Sequence, residues 1–245
     1  MSGVYESNKV LSEYLLFHYG ADDEVLPAGR DWPAGMRTAL GFPVRTVGHF
    51  SAGNVARGLD LGCAVGRSAF EMARTCDEVV GIDYSSAFVA AAARLAAGGE
   101  VAYERLEEAA VVTGLAARLP GGVDGSKVRF EQGDAMDLRA DLGSFDRVHA
   151  ANLLCRLGRP MRLLERLPEL VKPGGELVMA TPCTWLEEFT PKENWPPCAT
   201  VDWLKAELGA AFALAGEAEE EFLIRETARK FQWTSSLVTV WRRNG

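Results

Sequence analysis

At 245 residues, 48% hydrophobic and 24% charged, the chain has the composition of a folded globular protein, long enough for one large domain burying roughly three quarters of its unfolded surface. Twenty-six Lys and Arg against 34 Asp and Glu leave a formal charge of −8, which disfavours a phosphate backbone or an anionic membrane surface as partner. The five cysteines, Cys63, Cys76, Cys155, Cys183 and Cys198, form no C-x-x-C pair, and His18, His49 and His149 lack zinc-ligand spacing, so neither a disulfide framework nor a metal site is expected.

In chain order, the opening MSGVYESNKVLSEYLLFHYG lacks the basic n-region and small-residue cleavage site of a secretion signal. No apolar run approaches the roughly 18 residues of a spanning helix, so a cytosolic, unanchored protein is expected. Tyr14 and His18 stand i, i+4 on one helical face with Leu11 and Leu15, either a docking face on a sheet or a lid touching substrate. Short apolar runs at Arg57–Leu61, Glu78–Ile82, Lys127–Glu131, Phe145–Ala150 and Glu176–Ala180 then alternate with helical segments at Ser68–Thr75, Ala87–Ala97, Arg159–Glu169 and Val201–Ala211. That order belongs to an α/β protein with a parallel sheet. Each run ends near Gly, Asp or Asn, at the carboxyl ends of the strands, where open α/β sheets bind ligands. Phe222–Arg225 and Leu237–Arg242, with no long helix between them, close the chain as an antiparallel hairpin. The predicted architecture is a Rossmann-like α/β fold with a seven-stranded, mostly parallel sheet, that terminal hairpin, and helices on both faces. It is read as one domain over 1–245, with an N-terminal helical cap at 1–50, an insertion at 98–125 and a substrate-side loop at 181–200.

The sharpest local signal is Asp60-Leu61-Gly62-Cys63-Ala64-Val65-Gly66-Arg67, between a strand and a helix, where small residues let backbone N–H groups approach a ligand. A dinucleotide G-x-G-x-x-G loop would need glycine at 64 and 67, where Ala64 and Arg67 stand. The pattern resembles instead the acidic-x-G-x-G-x-G loop of class I, Rossmann-like methyltransferases, which bind S-adenosyl-L-methionine and release S-adenosyl-L-homocysteine. On that resemblance Asp60, Gly62, Cys63 as a small spacer, Ala64 and Gly66 form the donor loop. Asp83, followed by Tyr84, ends the next strand and takes the ribose hydroxyls. Asp134 and Ala135 border the adenine, and Asn152 closes the strand under the donor. Arg45, ahead of the first strand, is a candidate for the donor's methionine carboxylate.

The flanks carry a narrower resemblance. Tyr5–Gly20, the run Thr184-Trp185-Leu186-Glu187-Glu188-Phe189-Thr190-Pro191-Lys192-Glu193-Asn194-Trp195 and Ile224–Trp233 resemble the methyltransferase domain that forms the C-terminal part of ovothiol-synthesising enzymes. That domain methylates a ring nitrogen of 5-thiohistidine (4-mercaptohistidine). The resemblance implies an imidazole thiol, or the selenol analogue, as small-molecule acceptor, and a separate sulfoxide synthase-type enzyme as functional partner. Tyr14, His18 and Asn152 are the candidate catalytic residues. Tyr14, His18, Tyr19, Trp185, Glu187, Glu188 and Arg225 are the candidate substrate contacts, with Arg225 either a carboxylate clamp or an edge ion pair. The sequence departs from the family pattern at Cys155, Cys183 and the short Pro196–Thr200 segment, all on the acceptor side. Methylation of another small-molecule or macromolecular nitrogen, and a catalytically silent donor-binding module, are the alternatives.

Overall fold

The computed structural model describes residues 6–245; Met1–Tyr5, including the first residue of the Tyr5–Gly20 run, lie outside the described residues. Three helices open the chain: α1 (Asn8–Tyr19), α2 (Asp22–Val25) and α3 (Phe42–Val47). Ser7 caps α1 by accepting from the Val10 N–H. The α/β alternation follows as β1 (Val55–Leu61), α4 (Arg67–Met72), β2 (Cys76–Asp83), α5 (Ser86–Ala96), β3 (Val101–Glu108), β4 (Val111–Ala117), β5 (Val128–Gln132) and β6 (Phe145–Ala151). It ends with α6 (Pro160–Leu170), β7 (Val171–Thr181), α7 (Thr200–Leu208), β8 (Phe212–Arg225) and β9 (Phe231–Arg243).

Seven strands form one sheet in the order β5-β2-β1-β6-β7-β9-β8, parallel except for β9, which runs antiparallel to both β7 and β8. The central strands are mainly apolar and buried because helices cover both faces, with Asp60 and His149 as buried polar exceptions. One layer packs Leu59, Leu61, Val148 and Leu177 against Leu163, Leu167, Trp203 and Leu204. The other packs Val79 with Phe70, Phe88, Leu15 and Leu16. The strand order reverses between β1 and β6, so the ends of β1, β2 and β6 open a crevice there.

Residues 98–125 contain the separate antiparallel pair β3–β4, which lies off the main sheet. β8 and β9 are far longer than the sequence runs suggested, and their far ends rise beyond the sheet to wall the crevice. β7 begins at Val171 rather than Glu176: its register jumps from Phe145 opposite Val171 to Arg147 opposite Glu176, and Lys172–Gly175 bulge out. No helix among the described residues is long and apolar enough to cross a membrane.

Candidate active site

The crevice is a cavity of about 590 Å³, within the range of small-molecule sites. Its first wall is the turn after β1. Gly66 has φ +89°, and a Cβ there would stand 2.6 Å from Phe130 Cζ, so both conformation and space exclude any other residue. Ala64 adopts φ +47°, an unfavourable conformation for a residue with a Cβ. It is held there because its N–H donates to Asp83 Oδ2 at 2.8 Å, while Asp83 Oδ1 accepts from Ser85 N at 2.9 Å. One carboxylate thus joins the turn after β1 to the turn after β2. Burial pushes Asp83 up to about 6 against the lowering effect of those two N–H bonds, with Asp60 and Glu6 adding to the rise. Cys63, inside the turn, is buried and its thiol is pushed well above the ordinary range, which suits a spacer and not a nucleophile.

The floor is a buried polar pair. Asp60 on β1 and His149 on β6 are register neighbours, each 1% exposed, and His149 Nδ1 lies 2.8 Å from Asp60 Oδ1. The other ring nitrogen meets Thr46 Oγ1 of α3 at 3.1 Å. Asp60 Oδ2 is buried and has no hydrogen-bond partner among the described residues. A carboxylate oxygen in that state marks a place for a donor group.

Helix α1 forms the roof. Val10, Glu13, Tyr14, Phe17 and His18 recur at helical spacing and all face the cavity, while Leu15 and Leu16 turn into the core. Phe17, Phe42 and Phe222 form an aromatic cluster with ring centroids 5.1–6.1 Å apart. His18 Nδ1 is buried without a hydrogen-bond partner among the described residues. Burial, with Arg67 beside it, pushes the imidazole down to about 3, so His18 is neutral and a weak proton acceptor. Across the cavity Asn152 follows β6 with φ +53°, and its Oδ1 accepts from the buried Ser236 Oγ at 2.8 Å. That bond leaves Nδ2 to donate into the cavity that Asn152 lines.

Of the residues named from sequence, Tyr14, His18, Asp60, Gly62, Cys63, Ala64, Asp83, Tyr84, Ala135, Asn152 and Glu188 line this cavity. Gly66 shapes the turn from behind. The structure puts the others elsewhere. Arg45 is held by Glu220 at 2.7 Å and by the carbonyls of Leu40 and Glu221, and it does not line the cavity. Arg225 is buried with Glu107 at 2.6 Å and the Val25 carbonyl at 3.0 Å, an ion pair with the β3–β4 hairpin instead of a substrate clamp. Tyr19 donates to the Val65 carbonyl at 2.6 Å and supports the turn from outside. Trp185 donates to Thr200 Oγ1 at 3.1 Å and packs edge-on to Trp203, and Glu187 pairs with Lys192 in solvent. Asp134 accepts from Met136 N within its own turn while its neighbours Gly133 and Ala135 face the cavity. Sequence reasoning missed His149, Arg156, Phe189 and the hairpin residues Phe222, Ile224, Gln232 and Thr234. His149 was within reach, because it pairs in register with Asp60 on the adjacent strand.

Residues 59–179 match the family described as a methyltransferase domain. The trans-aconitate 2-methyltransferase of Deinococcus radiodurans is 32% identical over 129 residues, which are 52% of this chain and 38% of that protein. The chain therefore spans well under half of the curated relative it matches. The N-methyltransferase NodS from Bradyrhizobium japonicum WM9 superimposes with a TM-score of 0.55 at 15% identity, over 83% of this chain and 93% of that one. The [4+2]-cyclase SpnF superimposes with a TM-score of 0.56 at 17% identity, over 82% and 80% of the two chains. NodS bound to S-adenosyl-L-homocysteine gives a TM-score of 0.54 at 14% identity, over 96% and 99%. At such identities the likeness is one of fold, and a fold hosts more than one chemistry.

Proposed function

Because residues 59–179 match a methyltransferase-domain family and the chain has the corresponding Rossmann-like fold, we propose that the chain uses S-adenosyl-L-methionine to methylate a ring nitrogen of a small imidazole thiol, 5-thiohistidine or its selenium analogue. One observation carries the reading: Leu186, Glu188 and Phe189, from the run with the narrow family resemblance, line the same cavity as Gly62, Cys63 and Ala64 of the turn after β1, Asp83 and Asn152.

The residues present fit the donor. Asp60 Oδ2 is a buried acceptor suited to the α-ammonium of its methionine part. Asp83, fixed by two backbone N–H groups, keeps lone pairs for the two ribose hydroxyls. Ala135 and Leu153 offer apolar surface for the adenine. When bound, the donor supplies an electrophilic methyl group on a sulfonium.

The protein's own part is alignment and exclusion of water. Phe17, Phe42 and Phe222 present an aromatic wall to a planar ring, and Asn152 Nδ2 and Tyr14 supply polar contacts at its rim. His18, neutral and with Nδ1 open, orients the ring by accepting a hydrogen bond and does not take its proton. The proton lost from the ring leaves by water at the cavity mouth. A separate enzyme that forms the carbon–sulfur bond supplies the acceptor.

The test is a mass-spectrometric turnover assay with S-adenosyl-L-methionine and reduced 5-thiohistidine, beside histidine, the selenium analogue and a protein extract. The expected result is a one-methylene mass gain on the thiol or selenol and none on histidine. Gain only in the extract would replace the acceptor by a macromolecule. No gain anywhere, with S-adenosyl-L-homocysteine still bound, would leave a silent binding module.

A further inference from the structure

The cavity's charges are uneven. Its lining carboxylates are Glu13, Asp60, Asp83 and Glu188, and Arg156 is the one Lys or Arg that faces it among the described residues. Local structure sets that direction. After Asn152 the chain makes one short turn over Leu154–Arg156, closed by Arg156 N donating to the Leu153 carbonyl at 2.8 Å. Leu154 and Cys155 are buried in the core, so the third residue of the turn points the other way. The guanidinium then lies over the ring of Phe189, 4.7 Å from its centroid, a stacking that fixes the guanidinium plane.

The hydrogen-bond inventory of this side chain is incomplete. Nη1 donates to the carbonyls of Cys155 at 3.4 Å and Thr184 at 3.2 Å. Nε and Nη2 donate to nothing among the described residues, and no carboxylate pairs with Arg156 there, whereas Arg45, Arg105, Arg139 and Arg225 are each ion-paired. An open Nε–Nη2 edge is the side-on fork that matches the two oxygens of a carboxylate. It sits in a chain of net charge −8, where an unpaired half-buried cation is conspicuous.

We infer that Arg156 binds the carboxylate of the methyl acceptor and so restricts the substrate class to planar heteroaromatic amino acids or acids, an inference that rests on the cavity being the acceptor site proposed above. Arg225, read from sequence as either a clamp or an edge ion pair, is paired with Glu107 and cannot take this part. Glu188, exposed on the same wall, supplies the opposite charge for an ammonium.

The experiment compares wild type, Arg156→Met and Arg156→Lys on 5-thiohistidine and on its methyl ester, with S-adenosyl-L-homocysteine binding measured by calorimetry and folding checked by thermal melts. For the free acid, Arg156→Met raises KM about 10- to 100-fold, the range for losing a charge-assisted pair. Its KM for the ester and its affinity for S-adenosyl-L-homocysteine stay within about twofold of wild type, as expected of a lost pair that only the free acid makes. Arg156→Lys recovers part of the loss, since an ammonium keeps the charge and not the fork. Equal losses on acid and ester, or no loss on either, overturn the assignment.

If wild type methylates neither compound, the acceptor reading falls while Arg156 is still decided by binding. Imidazole-4-propanoate should then bind the S-adenosyl-L-homocysteine-saturated protein more tightly than its amide, and Arg156→Met should erase the preference. No preference in wild type overturns the inference.

Discussion

Replacing Asp83 by Asn separates stability from donor binding in opposite directions. Burial raises this carboxyl from 3.8 to about 6, roughly two pH units, which at about 1.36 kcal/mol per unit makes its ionised form cost about 3 kcal/mol of folding free energy at neutral pH. The sign follows from proton uptake. The folded state holds this proton more tightly than the unfolded state, so the cost is absent below about pH 4, grows as pH rises, and is complete above about pH 6. Asn carries no charge and escapes that cost. Its single amide oxygen keeps one of the two N–H bonds from Ala64 and Ser85, and the other is lost at about 1 kcal/mol. The net expectation is a gain of about 1–2 kcal/mol, a Tm higher by roughly 3–6 °C for a chain of this size. S-adenosyl-L-homocysteine affinity falls at least about 30-fold, because the charged acceptor for two hydroxyls is gone. In wild type the affinity is level above about pH 6 and weakens below it, as ligand and proton compete for the carboxylate; in the variant it is level throughout. Thermal melts and calorimetric titration between pH 5 and 8 read all of this. A lower Tm with unchanged affinity and a flat wild-type pH profile would refute the argument and leave Asp83 as a turn cap.

Asn152→Gly relieves a left-handed position that glycine adopts freely but leaves the buried Ser236 hydroxyl without its acceptor, at about 1–3 kcal/mol, so Tm should fall by no more than a few degrees with S-adenosyl-L-homocysteine affinity kept, while kcat falls by about 10-fold or more; single-turnover assays with the titration check it, and weakened ligand binding would move Asn152 to the donor side. Arg225→Met leaves Glu107 Oε2 without its partner, though Arg105 and Thr113 stay on Oε1, and removes two carbonyl bonds, with an expected loss of about 1–3 kcal/mol in denaturant unfolding and no change in acceptor KM; a raised KM would return Arg225 to the site. Cys155→Ser buries a hydroxyl in a fully enclosed position and should destabilise by about 1–3 kcal/mol with the acceptor preference unaltered, measured by the same melts and the methyl-transfer panel.

The parallel core was legible because strands covered on both faces are written as short runs with apolar centres bounded by polar residues, even where β1 and β6 carry Asp60 and His149. The edge was not. β8 contains Glu217, Glu219, Glu220 and Glu221, which read as solvated chain, yet an edge strand tolerates such charges. In the fold Glu220 takes Arg45 and His49, and Glu219 takes Ser235. The gathering of Gly62, Gly66, Asp83 and Asn152 at one crevice was legible for a related reason: they sit at strand ends, where topology alone brings them together. The acceptor side depends on which way a side chain leaves a loop or a hairpin, and local sequence does not encode that. Arg225 stands at the end of β8 beside the cavity residue Ile224, but alternation turns it to the opposite face, onto the β3–β4 hairpin.

The same distinction bears on the departures from the family pattern. Cys155 is enclosed behind the turn that aims Arg156, and Cys183 is exposed with φ +53°; neither lines the cavity. The residues of the specific run divide likewise. Thr190 Oγ1 donates to the Leu157 carbonyl and Asn194 Nδ2 to the Gly158 carbonyl, both at 2.8 Å, docking the loop onto the segment after β6, while Trp195 Nε1 donates to the Thr190 carbonyl at 2.7 Å and closes the loop on itself. Leu186, Glu188 and Phe189 are what that docking presents to the cavity. A loop whose polar residues are spent on its own attachment holds its few inward residues at fixed positions, and the stack of Arg156 on Phe189 couples that loop to the end of β6. On the proposed acceptor reading, selectivity rests on that one contact between two segments, and substitutions at Cys155 or Cys183 reach it only by moving the turn or the loop that carries it.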